Sequence, residues 1–144
     1  MMASIQSFDG EHRFLSNFWP CKVVYEGIEF KSVEHAYVAA KTEWVVLRMF
    51  ISMVESAGKV KRIGQKIELR KDWEIVKVPL MTNFTEQKYE DPELDAMLSA
   101  TAPFDLIEGN TWNDTFWGEC PIGNGKNNLG KILMARRDDI TRRF

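Results

Sequence analysis

The stretch 32–41 carries three side chains capable of chemistry at helical spacing. Glu34, Tyr37 and Lys41 fall at positions i, i+3 and i+7, which lie on one face of a helix. At about 1.5 Å of rise per residue, the carboxylate and the amine are attached roughly 10 Å apart along the axis. A small polar molecule could lie between them, although a solvated Glu and Lys is the simpler interpretation of this stretch alone.

A strand pair is expected to position this helix. Residues 22–25 and 28–30 are rich in β-branched and aromatic side chains, and Glu26-Gly27 supplies a two-residue turn. Ser32 is a candidate N-cap, and Glu34 lies in the first turn, where the helix dipole favours a carboxylate. The sequence therefore predicts a hairpin over 22–30 that holds the helix N-terminus in place.

Residues 111–118 are a second candidate, because three aromatic rings surround Asn113 and Asp114. Aromatic rings are stacking platforms for a flat heterocycle, and the partial desolvation they cause can tune a carboxylate. The alternative is a turn in which Asn113 and Asp114 bind local amides while the rings fill the core. The residues alone leave both interpretations open.

The glycine-rich stretch 123–131 superficially fits a phosphate-binding loop. It contains Gly125-x-x-x-x-Gly130-Lys131, but Ile132 stands where that motif needs a serine or threonine for magnesium, and no apolar strand precedes it. Nucleoside triphosphatase activity is therefore excluded. A glycine- and amide-rich turn that enters a helix is still suited to bind an anion.

Composition places the chain among ordinary globular proteins. Its 144 residues, 44% hydrophobic and 28% charged, predict one domain over residues 1–144 with a substantial core. A net charge of −2 and a pI near 5.7 argue against sequence-blind binding to a nucleic-acid backbone. We see no signal peptide and no apolar stretch long enough to span a membrane, and we expect no membrane partner.

The cysteines and histidines predict neither a metal site nor a disulfide. Cys21 and Cys120 form no spaced motif, and with His12 and His35 they make a poor zinc set. Reduced thiols in a cytoplasmic protein are the expectation, and we predict no metal and no cofactor.

The remaining segments predict a mainly α fold, a single compact helical domain with a small N-terminal β-hairpin. The segment 13–20 is expected to be a loop that plugs the core or lines a pocket. Residues 44–55 predict a buried helix with Met49 and Met53 as packing residues, and 59–69 an amphipathic helix whose basic outer face is solvated or binds phosphate. Asp72 is expected to cap a helix that runs through Phe84. Pro79 is expected either to kink this helix or to lie near its first turn. We expect further helices over 92–99 and 129–136, and a strand or extended segment over 104–108.

Five motifs in order resemble the NADAR family, over nearly the whole chain. They are Phe14-Leu15-Ser16-Asn17-Phe18, Ser32-Val33-Glu34-His35-Ala36-Tyr37 with Ala40-Lys41, Asp72-Trp73, Trp117-Gly118 and Gly125-Lys126-Asn127-x-Leu129-Gly130. The family includes bacterial swarming-motility-type proteins of similar size. The chain departs from the family pattern at Lys41-Thr42-Glu43, where the motif usually ends in a hydrophobic residue and Phe, and in the Val- and Met-rich helix that follows.

The resemblance implies a mostly helical N-glycosidase. Family members act on ribosylamine intermediates of riboflavin synthesis or remove ADP-ribose from guanine bases. Motif positions imply that Glu34, Lys41 and Asp114 are catalytic. They imply substrate binding by Ser16, Asn17, Phe18, Tyr37, Trp73, Trp117, Gly118, Lys126 and Asn127. The expected partner is a small ribosylamine phosphate or ADP-ribose-type substrate, with ADP-ribosylated nucleic acid as the other candidate; the oligomeric state is open.

Breaking a ribosyl C1–N bond builds positive charge at C1 and negative charge on the leaving nitrogen. A carboxylate near C1 stabilises the positive charge, and a proton donor stabilises the leaving nitrogen. Glu34 and Asp114 could divide these two roles, as paired carboxylates do in glycoside hydrolysis. Lys41 could instead displace the base nitrogen through a Schiff base, or pair with a phosphate or with Glu34. The rival interpretations are a module that binds ADP-ribose or a nucleotide without cleaving it, and a partner-binding protein with exposed aromatics.

Overall fold

The computed structural model describes residues 3–139, and this part of the chain contains seven helices and four short strands. In chain order they are β1 (Ser4–Ile5), a 3-10 helix (Gly10–Leu15), β2 (Pro20–Tyr25), β3 (Ile28–Ser32), α1 (Val33–Ala40), α2 (Val45–Met53), α3 (Ala57–Gly64), α4 (Trp73–Lys88), α5 (Pro92–Ser99), β4 (Asp105–Leu106) and α6 (Asn128–Asp138). The predicted mainly α fold with a small hairpin is confirmed.

The chain forms two compact units. The middle unit is Asn17–Lys88, and the terminal unit comprises residues 3–16 and 89–139 of the described chain. The organisation as one domain over residues 1–144 stays a prediction. None of the helices in residues 3–139 combines the length and the apolar character needed to cross a membrane.

The hairpin of the middle unit has the predicted turn. β2 and β3 pair antiparallel with Val23 opposite Phe30. Glu26 and Gly27 both have positive φ, at 49° and 77°. Two consecutive left-handed residues make the type I′ turn whose twist matches that of the flanking strands. The interpretation of Glu26-Gly27 as a two-residue turn is therefore confirmed.

Helix α1 is the core of the middle unit and starts without a linker, because Ser32 is both the last residue of β3 and the N-cap. The Ser32 hydroxyl accepts a hydrogen bond from the His35 amide at 3.1 Å. α1 packs against the hairpin and against α2, α3 and α4. Its buried alanines, Ala36, Ala39 and Ala40, allow this close approach on several sides.

The buried His35 ring joins the start of α1 to the end of α2. Its Nδ1 lies 2.7 Å from the Ser32 hydroxyl oxygen, and its Nε2 lies 2.8 Å from the Val54 carbonyl oxygen. Because a carbonyl only accepts, Nε2 carries the proton and donates, which leaves Nδ1 as acceptor in the neutral ring. Burial is the main cause of a lowered pKa of His35; the hydrogen bond to the Val54 carbonyl partly opposes this effect, and Lys31 adds a smaller lowering.

We expect the free energy of unfolding to fall as the pH falls below about 6.5, the pKa of an unfolded histidine. The folded-state pKa of His35 is lowered, so between the two pKa values the unfolded chain binds more protons and gains stability relative to the folded chain. Urea unfolding at several pH values measures this slope. His35→Gln should reduce the slope, and His12→Gln, which alters a partly exposed histidine, is the matched control. An unchanged slope in His35→Gln would show that His35 does not cause this pH dependence.

Helix α2 forms as predicted, but the expectation that it is buried is wrong. Met49 and Met53, expected to pack in the core, are 52% and 69% exposed. Arg48 and Ile51 are the buried residues of this helix. The Arg48 Nε donates to the Thr42 carbonyl at 2.8 Å, and its guanidinium lies 4.8 Å from the centre of the Tyr25 ring. These contacts turn the arginine inward, so most of the apolar residues face outward.

Helix α3 is shorter than predicted and ends at Gly64 instead of continuing to residue 69. The chain then turns, and the Arg70 amide donates to the Lys41 carbonyl at 2.8 Å. Ile67, which fits the helical spacing of Val60 and Ile63, and Leu69 instead line a groove of the middle unit. A long-range hydrogen bond thus replaces the continuation of the local helix.

Helix α4 runs through Pro79, which lies inside it and not at its first turn. Its C-terminal part closes the outer edge of the hairpin, because the Gln87 side-chain amide accepts from and donates to the backbone of Val24, both at 2.8 Å. Burial lowers the pKa of Lys88, at the end of α4, to about 7, with a smaller opposing effect of Cys21.

The terminal unit joins the two ends of the chain. β1 and β4 pair in parallel, with Ile5 opposite Leu106. Helix α5 starts at Pro92 with the Asp91 carboxylate accepting two first-turn amides, as predicted. Helix α6 extends to Asp138 and is anchored by the buried Arg137, whose Nη1 donates to the Phe104 carbonyl at 2.6 Å. Of the segment 13–20, expected to be a loop, residues 16–19 are turns and bends, whereas the 3-10 helix extends to Leu15 and β2 begins at Pro20.

Candidate active site

Glu34 lies in the first turn of α1 and is half-buried. Its backbone amide donates to the Asn17 carbonyl at 3.0 Å. The side chain of Asn17 lies against α4, with Nδ2 3.6 Å from the Met81 sulfur. Asn17 thereby satisfies one of the first-turn amides of α1, which have no partner within the helix, and fixes the backbone that carries the Glu34 carboxylate.

Lys41 is the C-cap of α1 and is also half-buried. Its Nζ lies 5.5 Å from the centre of the Tyr37 ring and 3.5 Å from the Gly64 carbonyl oxygen. A Cβ at Gly64 would lie 2.8 Å from Val38 Cγ2 and 3.4 Å from Nζ. Only a glycine at position 64 lets α3 approach α1 this closely, and its carbonyl then orients the lysine.

The rings of Tyr37 and Trp73 pack beside this lysine. Their centroids are 5.1 Å apart and their planes are tilted by 57°. Both side chains are largely buried, with exposures of 8% and 5%. Trp73 therefore serves at least partly as core, and a substrate can reach only the small part of the indole that remains accessible.

Arg70 connects the segments that carry Lys41 and Trp73. Its backbone amide donates to the Lys41 carbonyl at 2.8 Å, and its carbonyl accepts from the Trp73 amide at 3.2 Å. Its guanidinium binds both carboxylate oxygens of Asp72, at 2.6 and 3.2 Å, and donates to the Tyr25 hydroxyl at 3.2 Å. The hydrogen bonds to Asp72 and Tyr25 raise the pKa of Arg70, and Arg70 in turn lowers the pKa of Asp72.

Replacing Arg70 by Ala should lower the free energy of unfolding by about 1–3 kcal/mol, because it removes a mostly buried group with several charged hydrogen bonds. Arg70→Lys should recover only part of the loss, since an ammonium cannot bind Asp72 in the same bidentate way. Urea unfolding provides the measurement, and Lys71→Ala, at an exposed neighbouring position, is the control. Equal stability of Arg70→Ala and Lys71→Ala would contradict the bridging role.

In the terminal unit, Asp114 forms a turn and binds local amides, which is one of the two interpretations that the sequence allowed for residues 111–118. Its Oδ1 accepts from the amides of Phe116 and Trp117, at 3.2 and 2.9 Å. The side-chain amide of Asn110 binds the Asp114 backbone at both its N–H and its carbonyl. Within residues 3–139, Oδ2 of Asp114 accepts no hydrogen bond. The turn thus fixes the carboxylate while leaving one oxygen for another partner.

The aromatic residues around this turn divide into buried and exposed rings. Trp117 is buried and packs edge-on against Phe116, with centroids 4.8 Å apart, whereas Trp112 is 57% exposed. Gly118 has no room for a side chain, because a Cβ there would lie 2.1 Å from the Glu108 carbonyl oxygen. Gly118 therefore shapes the loop through backbone contact.

The remaining predicted binding residues have varied environments. The Asn127 amide is used within its own unit, with Oδ1 accepting from the Glu108 amide at 3.0 Å and Nδ2 donating to the Leu106 carbonyl at 2.9 Å. Lys126 is exposed, with Nζ 5.7 Å from the centre of the Phe116 ring. Ser16 ends the 3-10 helix, and Phe18 is 40% exposed.

The predicted site residues thus fall into two sets. Glu34, Tyr37, Lys41 and Trp73 belong to the middle unit, where backbone hydrogen bonds and ring contacts connect the elements that carry them. Asp114, Trp117, Gly118, Lys126 and Asn127 belong to the terminal unit. That both sets serve one site stays a prediction.

A family model for the NADAR domain matches residues 6–141 of the chain, which is most of its length. The chain belongs to the NADAR family. The resemblance carried by the five sequence motifs is confirmed.

Relatives of this NADAR chain carry two kinds of name. N-glycosidase YbiA of Escherichia coli is 40% identical over 130 residues, covering 87% of this chain and 79% of YbiA. A riboflavin biosynthesis protein of Vibrio vulnificus is 33% identical over 135 residues, covering 92% of this chain. The match spans only 36% of the Vibrio protein. The names support the predicted enzyme class, a hydrolase acting on N-glycosyl compounds.

A solved structure has the same fold. The NMR structure of Escherichia coli YbiA matches this NADAR chain with a TM-score of 0.84 and 33% identity, over 99% of this chain and 88% of the YbiA chain. This structure is that of the same Escherichia coli relative, 79% of whose length matches this chain in sequence.

Sequence reasoning missed Arg70 and Gly64 as residues that position the site of this NADAR chain. Arg70 acts through hydrogen bonds to residues up to 45 positions away, such as Tyr25, so no local spacing reveals it. Gly64 sits where a helix was expected to continue, and a glycine within a helical pattern is the one available signal. Within residues 3–139, no group of three or more His, Cys, Asp or Glu is placed to hold a metal ion.

Proposed function

We propose that this NADAR chain hydrolyses the ribosyl C1–N bond of a ribosylamine, such as a ribosylaminopyrimidine intermediate of riboflavin synthesis. The observation that carries the proposal is that α1 and its C-cap carry two half-buried reactive groups. Glu34 supplies a carboxylate in the first turn, and Lys41 supplies an amine beside the Tyr37 ring. Relatives named N-glycosidase and riboflavin biosynthesis protein support the choice of bond and of substrate class.

The chemistry explains why these groups suit the reaction. As the C1–N bond breaks, C1 gains positive charge, which a carboxylate stabilises, and the leaving nitrogen needs a proton. Water then adds to C1 and gives up a proton, so the products are a base amine and the free sugar, which is ribose phosphate when the substrate carries a phosphate. Glu34 can stabilise C1 or activate the water, and Asp114, with Oδ1 occupied by two amides, can offer Oδ2 for the other task.

Lys41 provides an alternative covalent route. A ribosylamine opens to an imine, and a neutral Nζ can add to C1 while the base nitrogen leaves with a proton. Water then hydrolyses the lysine Schiff base and releases the sugar, with its phosphate where the substrate carries one. The Tyr37 ring and the Gly64 carbonyl beside Nζ hold the amine in place for this addition.

The direct test is incubation of the protein with a ribosylaminopyrimidine phosphate and, in parallel, with an ADP-ribosylated guanine base. Chromatography then detects the released base and the ribose species. Release from the pyrimidine substrate is the expected result. Release only from the guanine substrate would replace the proposed substrate by ADP-ribosylated nucleic acid. Tight binding of either molecule without product would instead favour a binding module.

A further inference from the structure

Helix α2 presents an uncharged apolar face to solvent. Six large apolar residues of this helix and its N-cap are between 51% and 69% exposed. This α2 face consists of Trp44, Val45, Val46, Met49, Phe50 and Met53. Soluble proteins that act as monomers rarely leave a contiguous apolar patch of this kind uncovered, so it indicates an interaction surface.

The spacing of these residues is that of a helix packed against another helix. Val46, Met49 and Met53 follow each other at intervals of three and four, with Val45 and Phe50 beside them. At about 100° per residue the five occupy an arc of roughly 140°. The opposite side of the helix carries Arg48 and Ile51, which are buried in the middle unit. The α2 face is therefore not used for internal packing.

The apolar surface is large enough for a stable contact. Six large apolar side chains, each at least half exposed, offer on the order of 600 Å², and a stable interface buries about 800 Å² per partner. A groove of about 980 Å³ begins at Trp44 and continues the surface, with Leu47, Ile63, Ile67 and Leu69 among its lining residues. Two such faces would together bury about 1,200 Å², the lower end of the range for specific interfaces.

Charge favours a second copy of the chain as the occupant. The α2 face carries no charged side chain, so placing it against itself neither opposes like charges nor buries an unpaired one. A two-fold axis sets the same residues of both copies against each other, and this is the commonest arrangement in soluble oligomers. The groove is lined by three basic and three acidic residues, so it lacks the basic excess that attracts an anionic membrane.

We propose that two copies of this chain dimerise through the α2 face, α2 against α2, about a two-fold axis. The seam is formed by Val46, Met49 and Met53 of both copies. The proposal is independent of the substrate and of the catalytic residues, because the six residues of the face are distinct from the predicted site residues.

Sedimentation and light scattering over a wide range of protein concentration test the proposal. Wild type is expected to be a dimer that dissociates on dilution. Met49→Glu should be monomeric at concentrations at which wild type is dimeric, because it places two carboxylates in an apolar seam. Ile75→Glu is the matched control, since Ile75 is 77% exposed on α4 of the same unit; this variant should remain dimeric.

A cross-linking experiment tests the geometry without a disruptive charge. Met49→Cys should form a disulfide-linked dimer on mild oxidation, whereas Ile75→Cys, with the same native cysteines, should not. A wild type that stays monomeric at all concentrations would overturn the proposal, as would a dimer unaffected by Met49→Glu together with equal cross-linking at both positions. Binding to anionic vesicles by a protein that is monomeric would assign the face to a membrane instead. If circular dichroism shows that Met49→Glu is unfolded, the cross-linking result decides.

Discussion

Replacing Glu34 by Gln should lower the turnover number by about two to four decades, the usual effect of removing a positioned acid or base. Glutamine keeps the shape and the hydrogen-bonding reach of the side chain and removes its negative charge. The fold should be unaffected, because glutamine leaves the hydrogen bond from the backbone amide of residue 34 to the Asn17 carbonyl unchanged. Substrate should still bind, so the Michaelis constant should change far less than the turnover number.

A matched control for Glu34 exists in the same unit. Glu74 is also a first-turn glutamate, at the start of α4, but its side chain is 77% exposed and pairs with Lys77. Glu74→Gln should therefore keep wild-type turnover on the ribosylamine. Steady-state rates with both variants, alongside thermal unfolding, separate a chemical loss from a structural one. If Glu34→Gln turns over as fast as Glu74→Gln, Glu34 is not the catalytic carboxylate and the scheme is wrong.

Lys41→Ala should be as inactive as Glu34→Gln if the bond is broken through a Schiff base. Under that route, borohydride added during turnover should supply hydride to the C=N bond and leave a ribose-derived secondary amine on Lys41. Mass spectrometry of a digest locates the adduct. The control is Lys59→Ala, which removes an exposed lysine of α3 and should change neither the rate nor the adduct.

The kinetic constants distinguish the other role of Lys41. If its ammonium only pairs with a substrate phosphate, Lys41→Ala should raise the Michaelis constant much more than it lowers the turnover number. Near wild-type turnover in Lys41→Ala, without any adduct on the wild type, would exclude the covalent route. Hydrolysis would then depend on the carboxylates Glu34 and Asp114.

Features that depend on neighbouring residues could be predicted from the amino-acid sequence. The Glu26-Gly27 turn, the Ser32 cap of α1 and the Asp91 cap of α5 all form as predicted. Each involves residues within a few positions of each other, so local backbone preference and one short hydrogen bond suffice. The five ordered motifs likewise identified the NADAR family, which the family comparison confirms.

Which surfaces are covered and which distant residues meet depends on tertiary packing. Helical spacing in α2 is the same whether an apolar residue faces a neighbouring element or solvent, so the exposure of Met49 could not be predicted. For the end of α3, the one local signal was Gly64 itself, and a glycine within a helical pattern does not by itself fix a helix end. Arg70 joins Lys41 to Trp73 through a hydrogen bond to Lys41, which is far away in the sequence, and a local hydrogen bond to Trp73. Such contacts form only once the whole unit has folded, because their partners are brought together by packing and not by spacing along the chain.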